Sequence, residues 1–192
     1  MRSEERTAVA QRVAATLIAL LLAGCAAQPP AADVEKLDRL LTLIQQRLGY
    51  MNDVARNKWN SGAPIEDLPR EREIIDTLGR QAADYRLDAT IARNFFRAQI
   101  EASKIIQHAR FAEWRTRNQP PFADIPDLRD HIRPALDALT PQLMQALAAA
   151  IPVLRTGSAA WVKSRADAMV GNTDGAARDE AIAPLLGISS GG

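Results

Sequence analysis

Arg47 and Lys58 stand 11 residues apart in a segment whose other inward positions are Leu40, Ile44, Met51 and Val54. At about 100° per residue the two cations project within about 20° of each other, roughly three turns apart on one apolar stripe. A second segment repeats the pattern, with Phe96, Ile100, Ser103, Gln107 and Trp114 sharing a face. Burying a cation without a partner costs several kcal/mol, so such groups demand counter-charge. For any single residue, an internal salt bridge or a long side chain reaching the rim would supply it. Four together, on two helices at matching depth, favour a cavity that holds an anionic small molecule. The third contributor is Asp67-Leu68-Pro69-Arg70-Glu71, which sets Arg70 and Glu71 at a helix start, itself attractive to anions.

The elements that would position these groups all read as helices. Asp33 is expected to cap a first helix through Val34, Leu37, Leu40, Leu41, Ile44, Leu48, Met51 and Val54 to about Trp59. Asn60-Ser61-Gly62-Ala63-Pro64 stops it. A second helix begins near Pro69, a good first-turn residue, and carries Ile74, Ile75 and Leu78. Asp88 is the N-cap of a third, running from Ile91 through Phe95, Ile105, Ile106 and Phe111 to about Trp114. Asn118 to Pro126 is a connector. From Leu128 to about Leu154 the pattern gives one or two helices interrupted near Pro134 and Pro141, and weaker stretches over 158–170 and 175–186 follow. No strand pattern competes, so the fold class is all-α: a helical bundle with a three-helix core over 33–117 and a C-terminal helical region over 118–192 that completes it.

Composition sets the outer bounds. The 192 residues, 47% hydrophobic and 24% charged, suit one globular domain or a core with a helical appendage. The formal charge is +1, and without the first 24 residues, which hold three basic and two acidic side chains, the two signs balance. Neutrality gives no global field for nucleic acid or anionic lipid. Arg110-Phe111-Ala112-Glu113-Trp114-Arg115 interleaves cations with aromatics, but its Glu and its helical setting do not support nucleic acid. His108 and His131 show no ligand spacing with Cys25, the one cysteine, so no metal is expected. Trp59, Trp114 and Trp161 read as packing and helix-end residues.

The N-terminus carries an address. Arg2, Arg6 and Arg12 precede an apolar run from Val13 to Ala23, too short to span a bilayer as a mature helix. Leu22-Ala23-Gly24-Cys25 resembles the lipobox of bacterial lipoprotein precursors, which implies a signal peptide over 1–24, lipidation at Cys25 and a tether over 25–32. Ala26 resembles the residue of lipoproteins sorted to an outer rather than an inner membrane. Cleavage by the ordinary signal peptidase would instead release a free periplasmic protein.

From Leu40 to Trp114 the sequence resembles the AroQ-class chorismate mutases, and within them the exported gamma subclass. The matching stretches are Gln46-Arg47-Leu48, Asn57-Lys58-Trp59, Pro64-Ile65-Glu66-Asp67-Leu68-Pro69-Arg70-Glu71-Arg72-Glu73, Phe96, Gln99-Ile100-Glu101-Ala102-Ser103, Ile106-Gln107 and Arg110-Phe111-Ala112-Glu113-Trp114. A looser match continues through Asp127-Leu128 and Arg133-Pro134-Ala135-Leu136. The steps from Arg47 to Lys58, Arg70, Ser103 and Gln107 (11, 12, 33 and 4 residues) are more specific than any single stretch.

The resemblance implies a pericyclic rearrangement of the dianion chorismate to prephenate, with no cofactor, nucleophile or metal. Such a site must hold a compact conformer and stabilise charge developing on the breaking ether oxygen. By similarity, Arg47, Arg70 and Arg133 would clamp carboxylates with the bidentate geometry that arginine supplies. Lys58 and Gln107 would donate to the ether oxygen, Glu71 would accept from the ring hydroxyl, and Ser103 would support a carboxylate. Asp67 would help with the hydroxyl or simply cap the second helix. Some family members have Glu at the position of Gln107. A Glu must be protonated to donate, whereas an amide donates at any ordinary pH, so turnover is expected to hold as pH rises through neutral. Arg133 aligns with a one-residue shift and would replace the partner-chain arginine of minimal members. A homodimer is implied, and the disulfide of some exported relatives cannot form here. The rival reading keeps the same cavity in a non-catalytic lipoprotein that binds an anionic small molecule. The pairing of Lys58 with Gln107 argues against it, because a binder of dicarboxylates has no use for two donors aimed at an ether oxygen.

Overall fold

The computed structural model describes residues 30–171 and 174–189, and the signal-peptide and Cys25 readings lie outside the described residues. Seven α-helices occur among those residues: α1 (Ala31–Gly49), α2 (Met51–Ser61), α3 (Leu68–Gln81), α4 (Ala89–Thr116), α5 (Arg133–Thr156), α6 (Ala159–Met169) and α7 (Gly175–Ser189). A 3₁₀ turn, Ala82–Tyr85, follows α3, and a π turn, Leu128–Ile132, leads into α5. No described residue lies in a strand.

The expected first helix is two. It starts at Ala31, so Asp33 is not its cap but a first-turn residue paired with Lys36 at 3.0 Å. It breaks at Tyr50, whose backbone stays right-handed (φ −72°, ψ −16°), and α2 continues the same apolar stripe. Gly62 takes a left-handed φ of 68°, where a side chain would be strained, and its turn closes on the carbonyls of Lys58 and Trp59. The α3 and α4 starts follow the expected chemistry. Asp67 accepts from the Arg70 amide at 3.4 Å, and Asp88 accepts from Thr90 and Ile91 at 2.7 and 3.1 Å.

The expected break near Pro134 is the junction of the π turn with α5, capped by Asp127. The one near Pro141 is absent: α5 runs unbroken through Pro141 and Pro152. A proline inside a helix costs about 3 kcal/mol. Here Leu139, Leu143, Met144 and Leu147 on the same helix are at most 3% exposed, and burying each contributes about 2 kcal/mol, which holds the helix through the missing bond.

One core runs through the bundle. Leu37, Leu40, Leu41 and Ile44 of α1 pack towards α5, and α4 lies between α2, α3 and α7. Ala177, Ala181, Ile182 and Leu185 of α7 are fully buried, so the C-terminal region shares the core of the first three segments instead of hanging from it. Asp38 of α1 pairs with Arg165 of α6. A smaller apolar cluster of Trp59, Phe111, Trp114 and Phe122 sits under the connector. Asn57, Trp59 and Asn60 of α2 donate to Pro126, Gln119 and Phe122 carbonyls at 2.8, 3.2 and 2.8 Å, which fastens the connector over α2.

Candidate active site

A cavity of about 570 Å³ opens among α1, α2, α3, α4 and the start of α5. Its apolar wall comes from Met51, Val54, Ile65, Ile74, Leu78, Phe96, Ile100, Leu128 and Leu136. The eight substrate-binding residues expected from the sequence all line it: Arg47, Lys58, Asp67, Arg70, Glu71, Ser103, Gln107 and Arg133. Arg133 reaches it from the first turn of α5.

Four of them are cations, and among the described residues none of the four forms an ion pair. Arg47 is half-buried as a residue, but its Nε is fully buried and has no hydrogen-bond partner. Burial lowers its pKa from the ordinary arginine value to about 10, with the Asp137 carboxylate opposing the change. Lys58 donates to the Ile65 carbonyl at 2.6 Å. Burial pushes its ammonium below the ordinary lysine value, Asp67, Glu71 and Glu66 counter that, and Arg133 adds to it.

The carboxylates of Asp67 and Glu71 are occupied by other groups. Besides capping α3, Asp67 gives its own amide to Glu71 Oε1 at 3.0 Å, so the two residues cap the helix start reciprocally. Glu71 Oε2 accepts from Lys104 at 3.2 Å. On α4, the Ser103 hydroxyl donates to the Gln99 carbonyl at 2.6 Å, and Gln107 Nε2 donates to the Ser103 carbonyl at 3.0 Å. One N–H of Gln107 therefore remains for another acceptor, and its buried Oε1 has no partner. Lys104 and Asp137 also line the cavity and were missed from the sequence. Glu101, three residues before Lys104, was the local signal for the first. Asp137, one helical turn after Arg133, had no signal beyond that spacing.

Such an inventory suits a small molecule with two or more anionic groups, and it offers an amide and an ammonium for a further oxygen. Among the described lining residues, the Ser103 hydroxyl is engaged by a backbone carbonyl and not by a base.

Residues 33–108 match the family described as Chorismate mutase type II. The chain is 31% identical over 126 residues to the secreted chorismate mutase of Mycolicibacterium smegmatis, covering 66% of this chain and 69% of that protein. It is 30% identical over 118 residues to the secreted chorismate mutase of Yersinia pestis, covering 62% of each. Among solved structures, chorismate mutase from Burkholderia phymatum superposes with a TM-score of 0.74 at 30% identity, covering 81% of this chain and 98% of that one. With a matching profile over residues 33–108, sequence identity at this level and a shared fold across nearly the whole of a solved relative, this chain belongs to the type II chorismate mutase family.

Proposed function

We propose that the cavity converts chorismate to prephenate, breaking the ether C–O bond as the new C–C bond forms within one molecule. The observation that carries this reading is the set of four cations without ion pairs, facing a cavity in which Asp67 and Glu71 are already engaged. Leaving a buried cation unpaired is costly unless a ligand supplies the counter-charge, and chorismate brings two carboxylates. Arg47, Arg70 and Arg133 take those carboxylates, with Ser103 supporting one of them. Lys58 and the free N–H of Gln107 stabilise the charge that develops on the ether oxygen. Glu71, fixed through both oxygens, accepts from the ring hydroxyl, and Asp67 holds Glu71 and the start of α3. The apolar wall keeps the substrate compact and excludes water. The secreted relatives and the apolar N-terminal run support export, and Leu22-Ala23-Gly24-Cys25 supports lipid anchoring at Cys25, with the outer membrane favoured by Ala26. A homodimer is part of the same reading and rests on the family resemblance.

The test is loss of chorismate absorbance with purified protein, wild type beside Lys58→Ala. Turnover that falls on the order of 10²–10³-fold in the variant, with helical content unchanged, is expected. The wild-type rate should not decline as pH rises through neutral, because the Gln107 amide does not titrate. Absence of turnover from folded wild type would overturn catalysis and leave a cavity that only binds anions.

A further inference from the structure

A cavity that contains both signs of charge tends to neutralise itself. Lys58 lies in the field of Glu71, and long flexible side chains find each other unless something else holds them. The Asp67 amide restrains only one oxygen of Glu71. The second oxygen is taken by Lys104, which reaches across from α4 at 3.2 Å and is itself anchored by Glu101 at 2.7 Å. The side chains of Lys104 and Glu71 are only 15% and 16% exposed, so solvent screens this pair weakly. Burial acts to lower the Lys104 ammonium, but hydrogen bonds to Glu101 and Glu71 outweigh it and hold the group above its ordinary value. It is charged at any working pH.

We propose that Lys104 is a positioning residue that holds Glu71 away from Lys58 and so keeps the cavity's cations available to an anionic substrate. The inference rests on the functional reading above and concerns how that site is kept open. Lys104 does not touch the reacting atoms. It acts as a competing cation placed behind the carboxylate, with Glu101 fixing its direction. Its removal frees Glu71 to pair with Lys58, and the substrate must then displace an internal ion pair before it binds.

The experiment is steady-state kinetics on chorismate with Lys104→Met, Lys104→Arg, Glu71→Gln and the double variant Lys104→Met with Glu71→Gln, each checked for helical content and melting temperature. Lys104→Met is expected to raise KM about tenfold, while Lys104→Arg stays near wild type. The double variant should bind substrate better than Lys104→Met alone, because the neutral amide no longer competes for Lys58. In the Glu71→Gln background the same lysine change should alter KM by less than about twofold, a comparison that holds even if the single variant folds poorly. A residue that merely supports packing gives neither result. If the lysine change costs as much in the Glu71→Gln background as in wild type, the positioning role is overturned while the enzyme assignment stands. A wild-type chain without turnover overturns the functional reading itself, before any variant is compared.

Discussion

Below about pH 10 the folded protein carries Arg47 as a cation in a site that lowers its pKa from the ordinary arginine value, and its Nε has no hydrogen bond. In the unfolded chain the same guanidinium keeps its proton up to its ordinary value. The fold therefore bears a cost wherever both states are charged, and that cost fades only as pH climbs from about 10 towards the ordinary arginine value. At neutral pH it is fully present. Arg47→Met is expected to raise the melting temperature of the ligand-free protein by a few degrees, about 1 kcal/mol, and to remove stabilisation by added chorismate. Melting curves with and without the dianion check both, and a lower melting temperature for the ligand-free variant would mean that the arginine contributes to the fold. Residues of this kind were legible in the sequence because helical periodicity fixes which face a side chain takes. A cation on an apolar face stands out. Lys104 did not, since its meaning depends on Glu71, which is 33 residues earlier and meets it only through the packing of α3 on α4.

Among the helices, the starts of α3 and α4 were more legible than the interior of α5. Asp67 and Asp88 act through their own neighbouring amides, a local chemistry that needs no tertiary information. Hydrogen bonds from the Ile91 and Thr90 amides hold the Asp88 carboxyl below its usual range. Its contribution to stability is present above the ordinary aspartate range and is lost as pH falls through the depressed value. Asp88→Ala should therefore melt below wild type at neutral pH, and thermal scans at successively lower pH should show the gap closing. A gap independent of pH would point away from the cap. The interior of α5 was misread because Pro141 is a local signal overruled by packing on α1, which sequence periodicity alone does not weigh. The break at Tyr50 was missed for the opposite reason. It leaves the apolar stripe intact, so Arg47 and Lys58 face the same cavity from two helices.

For the molecule as a whole, α7 packs on α4, the helix that carries Ser103 and Gln107. Gln99, one turn before Ser103, donates through its buried amide to the Ala181 carbonyl at 2.8 Å. Ile182 is fully buried at this contact, and Ile182→Ala is expected to cost about 3 kcal/mol by leaving a cavity. Denaturant unfolding measures that loss, and turnover per folded molecule should be little changed. A change under about 0.5 kcal/mol would show that α7 contributes no packing of consequence.

The pairing of α4 with α7 also fixes an order of events during synthesis. One face of the helix that bears Ser103 and Gln107 has no partner until residues 175–189 have been made, so the bundle closes late and not segment by segment behind the ribosome. Until then that face of α4 is uncovered, and a polypeptide whose bundle has not closed is in the state that can be threaded through a membrane pore.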